Sequence, residues 1–371
     1  MIGIFGGAFD PPHQEHIRIA EEIRKEFSLR EIVFVPSGNS PHKLLETPFE
    51  TRCAMLRAAT IDKKDLRIDE IEGSYAATAY SYKILPFLKE KYGAIAFLIG
   101  GDSLLAFDRW RCPDRILKIC PLIVIPRGKD DLSELQKAAD RFVGQWGGKI
   151  MISKQVRGAN ISSTILRAKA CLGMPIAEVD DRVRQIIDEN GLYREYSDIA
   201  QRVKGMLQEK RWRHTCGVVI AGLKINARIG LSDRKVFLAC LLHDCMKQTD
   251  RVNPGVPEDV IGSKVLHAFN GAEEARLAFG IEDPEILDAI RYHTTGRACM
   301  TPLDKLVYTA DMVEEETRDF EGVEELRAAA YRDIDLGFKL CFKQCYDLLL
   351  EKGNPIYHLS SECFNEYCKG E

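Results

Sequence analysis

Apolar and polar residues alternate in two different ways along the chain. In the first half, short apolar runs are separated by stretches in which apolar residues recur at helical spacing. Short buried strands between amphipathic helices predict a parallel sheet that helices cover on both faces, which is an α/β fold. The predicted strands are residues 2–5, 31–36, 66–71, 94–99, 122–125 and 149–152, and the predicted helices are residues 17–27, 49–60, 76–91 and 132–142.

After about residue 193 the strand-like runs stop and only helical periodicity remains. This change predicts a second, all-α domain, and we place the boundary so that the two domains are residues 1–194 and 195–371. Turn residues such as Gly230 and Asp283-Pro284 separate the predicted helices. Those helices are residues 199–209, 214–229, 233–242, 272–279, 285–293, 305–316 and 336–351.

Composition narrows the class of protein. The chain has 371 residues, a net charge of −4 and 12 cysteines without a C-x-x-C pair. The length fits about two domains. The negative net charge excludes sequence-independent binding to the backbone of a nucleic acid. No apolar run is long enough for a membrane span, and the chain does not begin like a signal peptide. We therefore expect a cytoplasmic protein without disulfides, with no nucleic acid or membrane as partner; a homodimer is left open.

The first chemical signal lies directly after the first predicted strand. That strand ends in Gly6-Gly7, and Asp10-Pro11-Pro12 then leads into a helix that carries His13 and His16. Paired glycines let a phosphate approach the backbone, and a helix N-terminus offers unpaired N–H groups with a partial positive charge. His13 and His16 project from nearly the same helix face. Protonated, both could hold triphosphate oxygens and stabilise a leaving pyrophosphate, which indicates a nucleotide site.

These residues resemble the nucleotidyltransferase superfamily, which carries His-x-Gly-His at this place, and more narrowly the nicotinate-nucleotide adenylyltransferases. That family opens with Gly-Gly-Thr-Phe-Asp-Pro-Pro-His, where this chain has Gly6-Gly7-Ala8-Phe9-Asp10-Pro11-Pro12-His13. The resemblance covers about residues 1–194. Further matching segments are Pro41-His42-Lys43, Arg52 with Met55-Leu56, Gly100-Gly101-Asp102, Trp110, Ile161-Ser162-Ser163-Thr164-Ile165-Leu166-Arg167 and Glu189-Asn190-Gly191-Leu192-Tyr193.

The resemblance implies a Rossmann-like nucleotidyltransferase fold and adenylyl transfer from ATP, with its Mg²⁺, to nicotinate mononucleotide. Such transfer needs alignment and charge neutralisation more than covalent help. The implied catalytic residues, all candidate cations, are His13, His16, Lys43 and Arg167. The implied binding residues are Gly6, Gly7, Phe9, Asp10, Asp102, Trp110, Ile161, Ser162 and Ser163. Among these, Asp102 suits ribose hydroxyls or Mg²⁺, and Trp110 suits the pyridine ring.

Two departures from the family pattern leave alternatives open. Glu15 replaces the glycine between the histidines, and a carboxylate beside a triphosphate costs energy unless it points away. The family's Ser-Tyr-Thr-x-Asp-Thr segment is Ser74-Tyr75-Ala76-Ala77-Thr78-Ala79 here. Adenylyl transfer to nicotinate mononucleotide remains the favoured interpretation. The alternatives are a catalytically silent nucleotide-binding module that regulates the second half, and nicotinamide mononucleotide as the acceptor.

The second chemical signal consists of six residues spread through the helical half. They are His214, His243, Asp244, His267, His293 and Asp311. All six offer nitrogen or oxygen donors, which suit Fe, Mn, Zn or Mg rather than a structural thiolate zinc site. The doublet His243-Asp244 lies in an apolar, helix-like stretch, where burial is expensive unless a divalent cation compensates it. The pattern therefore predicts an all-helical metal cage.

The order His…His-Asp…His…His…Asp resembles the HD-domain phosphohydrolases. The surrounding phrases match the bacterial YqeK-type branch, which splits diadenosine tetraphosphate symmetrically, and the resemblance covers about residues 198–365. Glu314-Glu315-Glu316-Thr317-Arg318 departs from that branch's Glu-Pro-x-Arg but keeps the arginine. The matching phrases are Arg213-His214-Thr215, Leu242-His243-Asp244 with Lys247, His267-Ala268 with Gly271-Ala272, residues 289–297, and Tyr308-Thr309-Ala310-Asp311.

This resemblance implies an all-α HD-domain bundle and two-metal hydrolysis of a dinucleoside polyphosphate. The family suggests iron, with manganese or zinc as alternatives. One metal is expected at His214, His243, Asp244 and Asp311, and the second at His267 and His293, with Asp244 as a bridge. Asp244 and Lys247 are the implied catalytic residues. Candidate phosphate contacts, with solvated helix charges as the alternative interpretation, are Lys247, Arg291, Arg297 and Arg318.

Overall fold

The computed structural model describes residues 1–38, 47–74, 79–128, 130–159 and 161–369. The chain forms two compact units. The first consists of Met1–Arg167 and Ile176–Leu192, and the second of Ala168–Pro175 and Tyr193–Glu371. All strands of the six-stranded sheet belong to the first unit, and the secondary structure of the second unit is helical throughout its described part.

A six-stranded parallel sheet forms the centre of the first unit. Its strands are β1 (Ile2–Gly7), β2 (Ile32–Pro36), β3 (Leu66–Ile68), β4 (Ile95–Gly100), β5 (Leu122–Ile125) and β6 (Ile150–Ile152). They lie in the order β3-β2-β1-β4-β5-β6, and each neighbouring pair is parallel. The predicted α/β fold with a parallel sheet is confirmed.

Helices cover both faces of this sheet because its strands are apolar on both sides. Along β2, Ile32 and Phe34 belong to one apolar cluster, whereas Val33 and Val35 belong to another. Successive side chains of a strand point to opposite faces, so burying all four requires cover on each face. The helices up to residue 192 are α1 (Gln14–Glu26), α2 (Phe49–Thr60), α3 (Ser81–Tyr92), α4 (Gly101–Leu105), α5 (Pro113–Ile119), α6 (Leu132–Trp146), α7 (Ser163–Cys171) and α8 (Asp181–Glu189).

The strand order reverses between the two central strands, β1 and β4. From β1 the sheet extends through β2 to β3, and from β4 it extends through β5 to β6. In open parallel sheets, ligands bind beyond the carboxyl ends of the strands at such a reversal. Gly6-Gly7 ends β1 and Gly100 ends β4. The glycine-rich segments singled out from the sequence therefore lie at the place where this fold offers a crevice.

The second unit is a helical bundle around the long helix α10. Buried residues line α10 over most of its length, and α11 and α14 pack against it. Further along, α12 packs against α13, and α14 packs against α16. None of the helices in the described ranges is both long and apolar enough to span a bilayer. The helices are α9 (Ser197–Met206), α10 (Glu209–Ile229), α11 (Asp233–Leu242), α12 (Leu266–Phe279), α13 (Pro284–Tyr292), α14 (Pro302–Val313), α15 (Val323–Ala330), α16 (Ile334–Glu351) and α17 (His358–Tyr367).

Several element bounds differ from the prediction although the fold class agrees. β3 ends at Ile68, three residues earlier than predicted, because Ile71–Ser74 forms a 3₁₀ turn. α3 begins at Ser81 rather than at residue 76, and α12 begins at Leu266 rather than at residue 272. The helices α4, α5, α8, α15 and α17 were not predicted. α4 and α5, with 5 and 7 residues, are too short to show a clear helical period.

Candidate active sites

Beyond β1 the chain turns so that His13 and His16 lie against each other. Their rings stack with centroids 3.7 Å apart at an interplanar angle of 19°. The His13 backbone N–H donates to His16 Nδ1 at 3.2 Å. Phe9, with a φ of +51°, packs edge-on against His16 at 5.0 Å, and a Cβ at Gly7 would lie 3.0 Å from the Phe9 ring. The buried Phe9 ring therefore supports His16, and only its backbone is left to contact a ligand.

Both imidazoles are neutral in this arrangement. Burial lowers the pKa of His13 to about 4, with Glu15 opposing the shift and Arg127 adding to it. Burial also holds the pKa of His16 well below its usual value, and His13 and Arg127 lower it further. We expected both rings to be protonated, but here they are hydrogen-bonding groups, and the positive charge comes from Arg127. Arg127 was missed, although a basic residue just after a predicted strand is a visible signal.

Glu15 is held by partners outside the histidine pair. Its carboxylate accepts hydrogen bonds from Arg18 Nε at 2.7 Å and Nη2 at 2.6 Å, and from the Ala159 backbone N–H at 2.5 Å. Arg18 also donates to Arg157 O at 2.5 Å. This pairing compensates the buried charge and fastens the segment before α7 to α1. Glu15 is therefore not the unpaired carboxylate that its place in the motif suggested.

α7 contacts the same turn through one face. Ser163 Oγ donates to Pro11 O at 3.0 Å, and Arg167 Nη1 donates to Asp10 O at 2.8 Å. The two side chains are four residues apart, so a single face of the helix makes both contacts. The structure thus brings the predicted residues Ser163 and Arg167 to the turn that carries His13, where both bind backbone oxygens.

The remaining predicted residues of this half lie near other strand and helix ends. Asp102 is exposed in the first turn of α4, directly after β4, and its Oδ1 accepts the Ser103 N–H at 2.9 Å. Ser162 is exposed and Ile161 is half-buried just before α7. Lys43 lies outside the described residues, so its predicted role stays a prediction.

Trp110 lies after the short turn that follows α4 and is half-buried. It packs against Phe97 and Phe107, with ring centroids 6.3 Å and 5.4 Å away. An aromatic surface for the pyridine ring remains a prediction for this residue, since its described ring contacts are with the core of the unit.

Arg52 ties the histidine turn to the neighbouring strand. It is 1% exposed, and it donates to Ala8 O at 2.8 Å and to Ser37 O at 2.7 Å. Ser37 follows β2, so a single guanidinium joins the loops after β1 and β2. The sequence motif that contains Arg52 gave no sign that its role is to position these loops.

The second unit gathers the six predicted metal-binding residues from five helices or helix ends. His214 lies inside α10, Asp311 lies inside α14, and His267 is in the first turn of α12. His243-Asp244 directly follows α11, and His293 directly follows α13. The doublet therefore lies at a helix end, in agreement with the helix predicted for residues 233–242. The last backbone carbonyl groups of a helix lack partners within the helix, and residues of the site provide such partners.

Each of the four histidines is oriented by a hydrogen bond from Nδ1. For His243, His267 and His293 the acceptor is the carbonyl oxygen three residues earlier, at 2.7, 3.0 and 2.7 Å. For His214 it is Glu314 Oε1 at 3.1 Å. Carbonyl and carboxylate oxygens only accept, so Nδ1 carries a proton and Nε2 is the nitrogen that faces the other residues of the group. Metal-binding histidines usually have this arrangement of hydrogen bonds.

The four Nε2 atoms converge on the two aspartates. His267 Nε2 and His293 Nε2 each lie 3.4 Å from Asp244 Oδ1, and His243 Nε2 lies 3.7 Å from Asp244 Oδ2. His214 Nε2 lies 2.9 Å from Asp311 Oδ1. Ligand atoms within 4.8 Å of one another form three overlapping groups: His214-His243-Asp244, His243-His293-Asp311 and Asp244-His267-His293. Two of these groups share Asp244, as a bridged pair of cations would require.

The donor set fits divalent cations on two further grounds. His243 Nε2 and Asp244 Oδ1 are buried and have no hydrogen-bond partner among the described residues, which is costly unless an ion occupies the space that they face. Burial lowers the pKa of His243 to about 4 and that of His267 to about 3, so these rings are neutral. Burial opposes ionisation of Asp244 and Asp311, but neighbouring histidines and cations hold their pKa values well below normal.

Glu314 is a member of this site that we did not predict. It is 0% exposed, and it accepts hydrogen bonds from the Glu316 and Thr317 backbone N–H groups as well as from His214 Nδ1. Gly217 in α10 makes the room, because any Cβ there would meet the Glu314 carboxylate. Such carboxylate–histidine pairs fix the orientation of a metal ligand. The run of three glutamates in the sequence does not show which one is buried.

Three cations of the chain lie directly against the cage. Arg211 Nη1 is 2.9 Å from Asp244 Oδ2, Arg318 Nη2 is 2.5 Å from Asp311 Oδ1, and Lys247 Nζ is 2.7 Å from His267 Nε2. Lys247 and Arg318 were predicted as phosphate contacts. Arg211 was missed, although it precedes His214 by three residues and so shares its helix face.

Arg291 and Arg297 are instead paired with other acidic residues. Arg291 Nη1 donates to Asp288 at 2.6 Å, and Arg297 Nη2 donates to the buried Asp304 at 2.7 Å. Arg297 also lies over the Tyr292 ring at 4.4 Å. Their described contacts favour a structural role over the predicted phosphate contact.

Comparison with known proteins assigns each half to a family. The cytidylyltransferase-like family model matches residues 4–169, and the HD domain model matches residues 211–316. A probable nicotinate-nucleotide adenylyltransferase of Geobacter sulfurreducens is 34% identical over 209 residues, covering 52% of this chain and 97% of that protein. The Clostridium acetobutylicum protein of the same description is 33% identical over 195 residues, covering 51% and 97%.

The chain belongs to the nicotinate-nucleotide adenylyltransferase family. The match covers nearly the whole length of those relatives but only about half of this chain, so the chain is a member of this family that carries an additional HD domain. A crystal structure of a predicted HD superfamily hydrolase involved in NAD metabolism from Clostridium acetobutylicum is also similar. It is 31% identical, with 46% of this chain and 95% of that chain covered and a TM-score of 0.42.

The two family resemblances expected from the sequence are thereby confirmed. The chain combines a nucleotidyltransferase domain with a domain of the metal-dependent HD hydrolases.

Proposed function

We propose that the chain is a bifunctional enzyme. The first half transfers the adenylyl group of ATP to nicotinate mononucleotide, which forms deamido-NAD and releases pyrophosphate. The second half hydrolyses diadenosine tetraphosphate to two molecules of ADP. The proposed boundary between the two enzymes lies between residues 194 and 195.

The histidine turn beyond β1 supports the first reaction, together with the similarity to relatives of that description. The phosphate of the mononucleotide attacks the α-phosphorus of ATP, and the bond to pyrophosphate breaks. His13 and His16 offer ring nitrogens for the phosphate oxygens, and Arg127 supplies positive charge nearby. An arriving polyanion raises the pKa of both rings and so strengthens their hold on it. Mg²⁺ would accompany the ATP phosphates.

One observation carries the second reaction: four imidazole Nε2 atoms and two ionised aspartates face one another in a buried space. Two divalent ions held there would activate water and neutralise phosphate charge. We assign one ion to His214, His243, Asp244 and Asp311, and the other to His267 and His293 with Asp244 shared. We expect iron, with manganese or zinc as alternatives.

The chain's own cations complete this proposal. Arg211, Lys247 and Arg318 contact the atoms that we assign to the metals. When metals bind those ligand atoms, the three cationic groups lose these acceptors. The polyphosphate oxygens can then accept their hydrogen bonds. Asp244, which faces three of the histidines, positions both halves of the cage.

A pair of assays on the intact chain tests both reactions. With ATP, Mg²⁺ and nicotinate mononucleotide we expect pyrophosphate release; with Mn²⁺ or Fe²⁺ and diadenosine tetraphosphate we expect ADP. If no pyrophosphate appears with either nicotinate or nicotinamide mononucleotide while ADP still forms, the first half is a silent module and the first proposal is wrong. A faster rate with nicotinamide mononucleotide would overturn the proposed acceptor alone.

A further inference from the structure

The first turn of α1 carries a buried ion pair that reaches a distant part of the chain. Glu15, which is 6% exposed, accepts hydrogen bonds from Arg18 at 2.7 and 2.6 Å and from the Ala159 backbone N–H at 2.5 Å. Arg18 in turn donates to Arg157 O at 2.5 Å. The ion pair is therefore attached to both ends of residues 157–159, which we call the bracing segment. Hydrogen bonds to charged groups are stronger than neutral ones, so this attachment is firm.

The bracing segment holds the loop that follows β5. Gly158 N donates to Pro126 O at 2.8 Å, and Gly128 N donates to Gly158 O at 3.0 Å. Arg157 Nη1 donates to Gly128 O at 2.9 Å. These bonds lie on either side of Arg127, whose Cγ would be 3.0 Å from a Cβ at Gly158. The backbone of Arg127 is thus fixed against the bracing segment.

The Arg127 side chain extends toward the ends of the two central strands. Its Nε lies 3.9 Å from the position that a Cβ would occupy at Gly100, the last residue of β4. Its charge also lowers the pKa values of His13 and His16, which lie beyond the end of β1. A cation at this reversal of the strand order is well placed for the phosphates of a nucleotide.

We propose that Glu15 is a positioning residue of the nucleotide site: through Arg18 and the bracing segment it holds Arg127 in place for the ATP phosphates. The inference rests on the proposed adenylyl transfer and gives a role to the carboxylate that departs from the family pattern. A residue without this side chain cannot accept the Ala159 N–H, so the bracing segment loses one of its attachments to α1. Misplacement of a group by about 1 Å can lower a rate about 100-fold.

A double-mutant cycle on the full chain tests this proposal. The four proteins are the wild type, Glu15→Ala, Arg127→Met and the double variant, and kcat/KM for ATP is measured from pyrophosphate release with saturating nicotinate mononucleotide. We expect losses of at least fivefold for Glu15→Ala and at least tenfold for Arg127→Met. The double variant should lie within twofold of Arg127→Met, because without the guanidinium Glu15 has nothing left to position.

Glu22→Ala is the matched control. Glu22 also accepts a hydrogen bond from Arg18, at 2.5 Å, but its side chain is 40% exposed and its described contacts do not include the bracing segment. We expect its kcat/KM for ATP to stay within twofold of the wild type. A loss in Glu22→Ala as large as that in Glu15→Ala would show that any partner of Arg18 matters equally, which contradicts the proposal.

The cycle also separates positioning from a general contribution to the fold. Wild-type kcat/KM in Glu15→Ala overturns the proposal, and so does a double variant whose loss is the product of the two single losses. If Glu15→Ala does not fold, Arg18→Met replaces it, since that side chain is 39% exposed, and multiplied losses are equally contradictory.

The proposed transfer can fail independently of this inference. If the wild type releases no pyrophosphate, the transfer is wrong, and the dissociation constants of the same four proteins for ATP with Mg²⁺ carry the test. ATP bound by the second half is common to all four and cancels. Weaker ATP binding in Glu15→Ala that disappears in the Arg127→Met background supports the positioning role, whereas equal or multiplied effects overturn it.

Discussion

The metal cage of the second half and the histidine turn of the first half both contain buried histidines, but their surroundings carry opposite charge. In the cage, four histidine rings face the ionised Asp244 and Asp311, so the arrangement suits cations. In the turn, two neutral rings have Arg127 as a neighbouring cation, and Glu15 is already paired with Arg18. That arrangement suits anions. The same residue type thus serves two chemistries, and the neighbouring charges decide which.

The two sites also differ in how their residues are brought together. The turn is a short segment, so residues that are close together in its sequence are also close together in space. The cage draws its six residues from five places along about half of the second unit, and each ring is oriented by a carbonyl or carboxylate nearby. A local motif therefore reveals the first site, whereas the second depends on the packing of the whole bundle.

Among the changes that distinguish the two sites, we expect His243→Ala to have the largest effect. Removing this side chain takes one nitrogen donor from the centre of the cage, so we expect metal content to fall below one ion per chain and hydrolysis of diadenosine tetraphosphate to become undetectable. Pyrophosphate release by the first half should stay within twofold. Elemental analysis and the two assays check this, with His358→Ala as a control at an exposed histidine. Full metal content in His243→Ala would contradict the cage.

His16→Ala is the corresponding change in the first half. Loss of a group that stabilises developing charge on the leaving phosphates should lower pyrophosphate release about 100- to 1,000-fold. Metal content and ADP formation should not change. Gln14→Ala, an exposed side chain two residues away, is the matched control and should remain within about threefold. Equal rates for His16→Ala and Gln14→Ala would show that the ring has no part in the transfer.

Glu314→Gln should produce a smaller effect, confined to the cage. Losing the charge that orients His214 is expected to weaken metal binding about 10- to 100-fold. Chelator competition measures this affinity directly on the metal-free protein. Glu315→Gln is the neighbouring control, since its side chain is 48% exposed and pairs with Lys224. If both variants bind metal like the wild type, Glu314 has only a structural role.

Glu15→Gln should give the smallest effect and a pH dependence. We expect a loss of about 1–3 kcal/mol in the free energy of unfolding at pH 7, because the hydrogen bonds that the buried Glu15 accepts from Arg18 weaken. Burial raises the pKa of Glu15, but hydrogen bonds from Arg18 and Ala159 outweigh it and lower the value below its usual 4.5. Because the pKa of Glu15 is lower in the folded state than in the unfolded state, its ionised form stabilises the fold at pH values above the unfolded-state pKa. This stabilisation is lost as the pH falls through the folded-state pKa.

Urea unfolding of the wild type and Glu15→Gln at pH 7 and in mild acid measures this difference. The two proteins should converge in stability as the pH decreases below about 4.5. A constant difference across that interval would mean that the carboxylate charge is not what stabilises the wild type.

The sequence predicted the sheet and the six residues that the structure gathers in the second unit, because both leave local signals. Apolar runs revealed the strands, and His243-Asp244 was visible as polar residues in an apolar setting. Residues that act over long separations left no such signal. Glu15 meets Ala159 across 144 positions, and Glu314 meets His214 across 100. No local pattern predicts which of the three consecutive glutamates will be buried against Gly217 in another helix.

Errors in the first half have a related cause. The motif around Phe9 indicated a ligand site, but it could not show that a positive φ turns this ring underneath His16. The protonated state expected for His13 and His16 ignored burial, which only the packed structure reveals. The families were therefore predictable from residue types, whereas charge states and supporting contacts required the fold.

Anomalous diffraction from crystals of the intact chain grown with Mn²⁺ tests most directly whether the second half binds a pair of metals. The predicted result is two manganese peaks sharing Asp244, each within about 2.0–2.3 Å of its assigned histidine nitrogens or aspartate oxygens. Fully occupied manganese elsewhere, with no peak among His214, His243, Asp244, His267, His293 and Asp311, would contradict it.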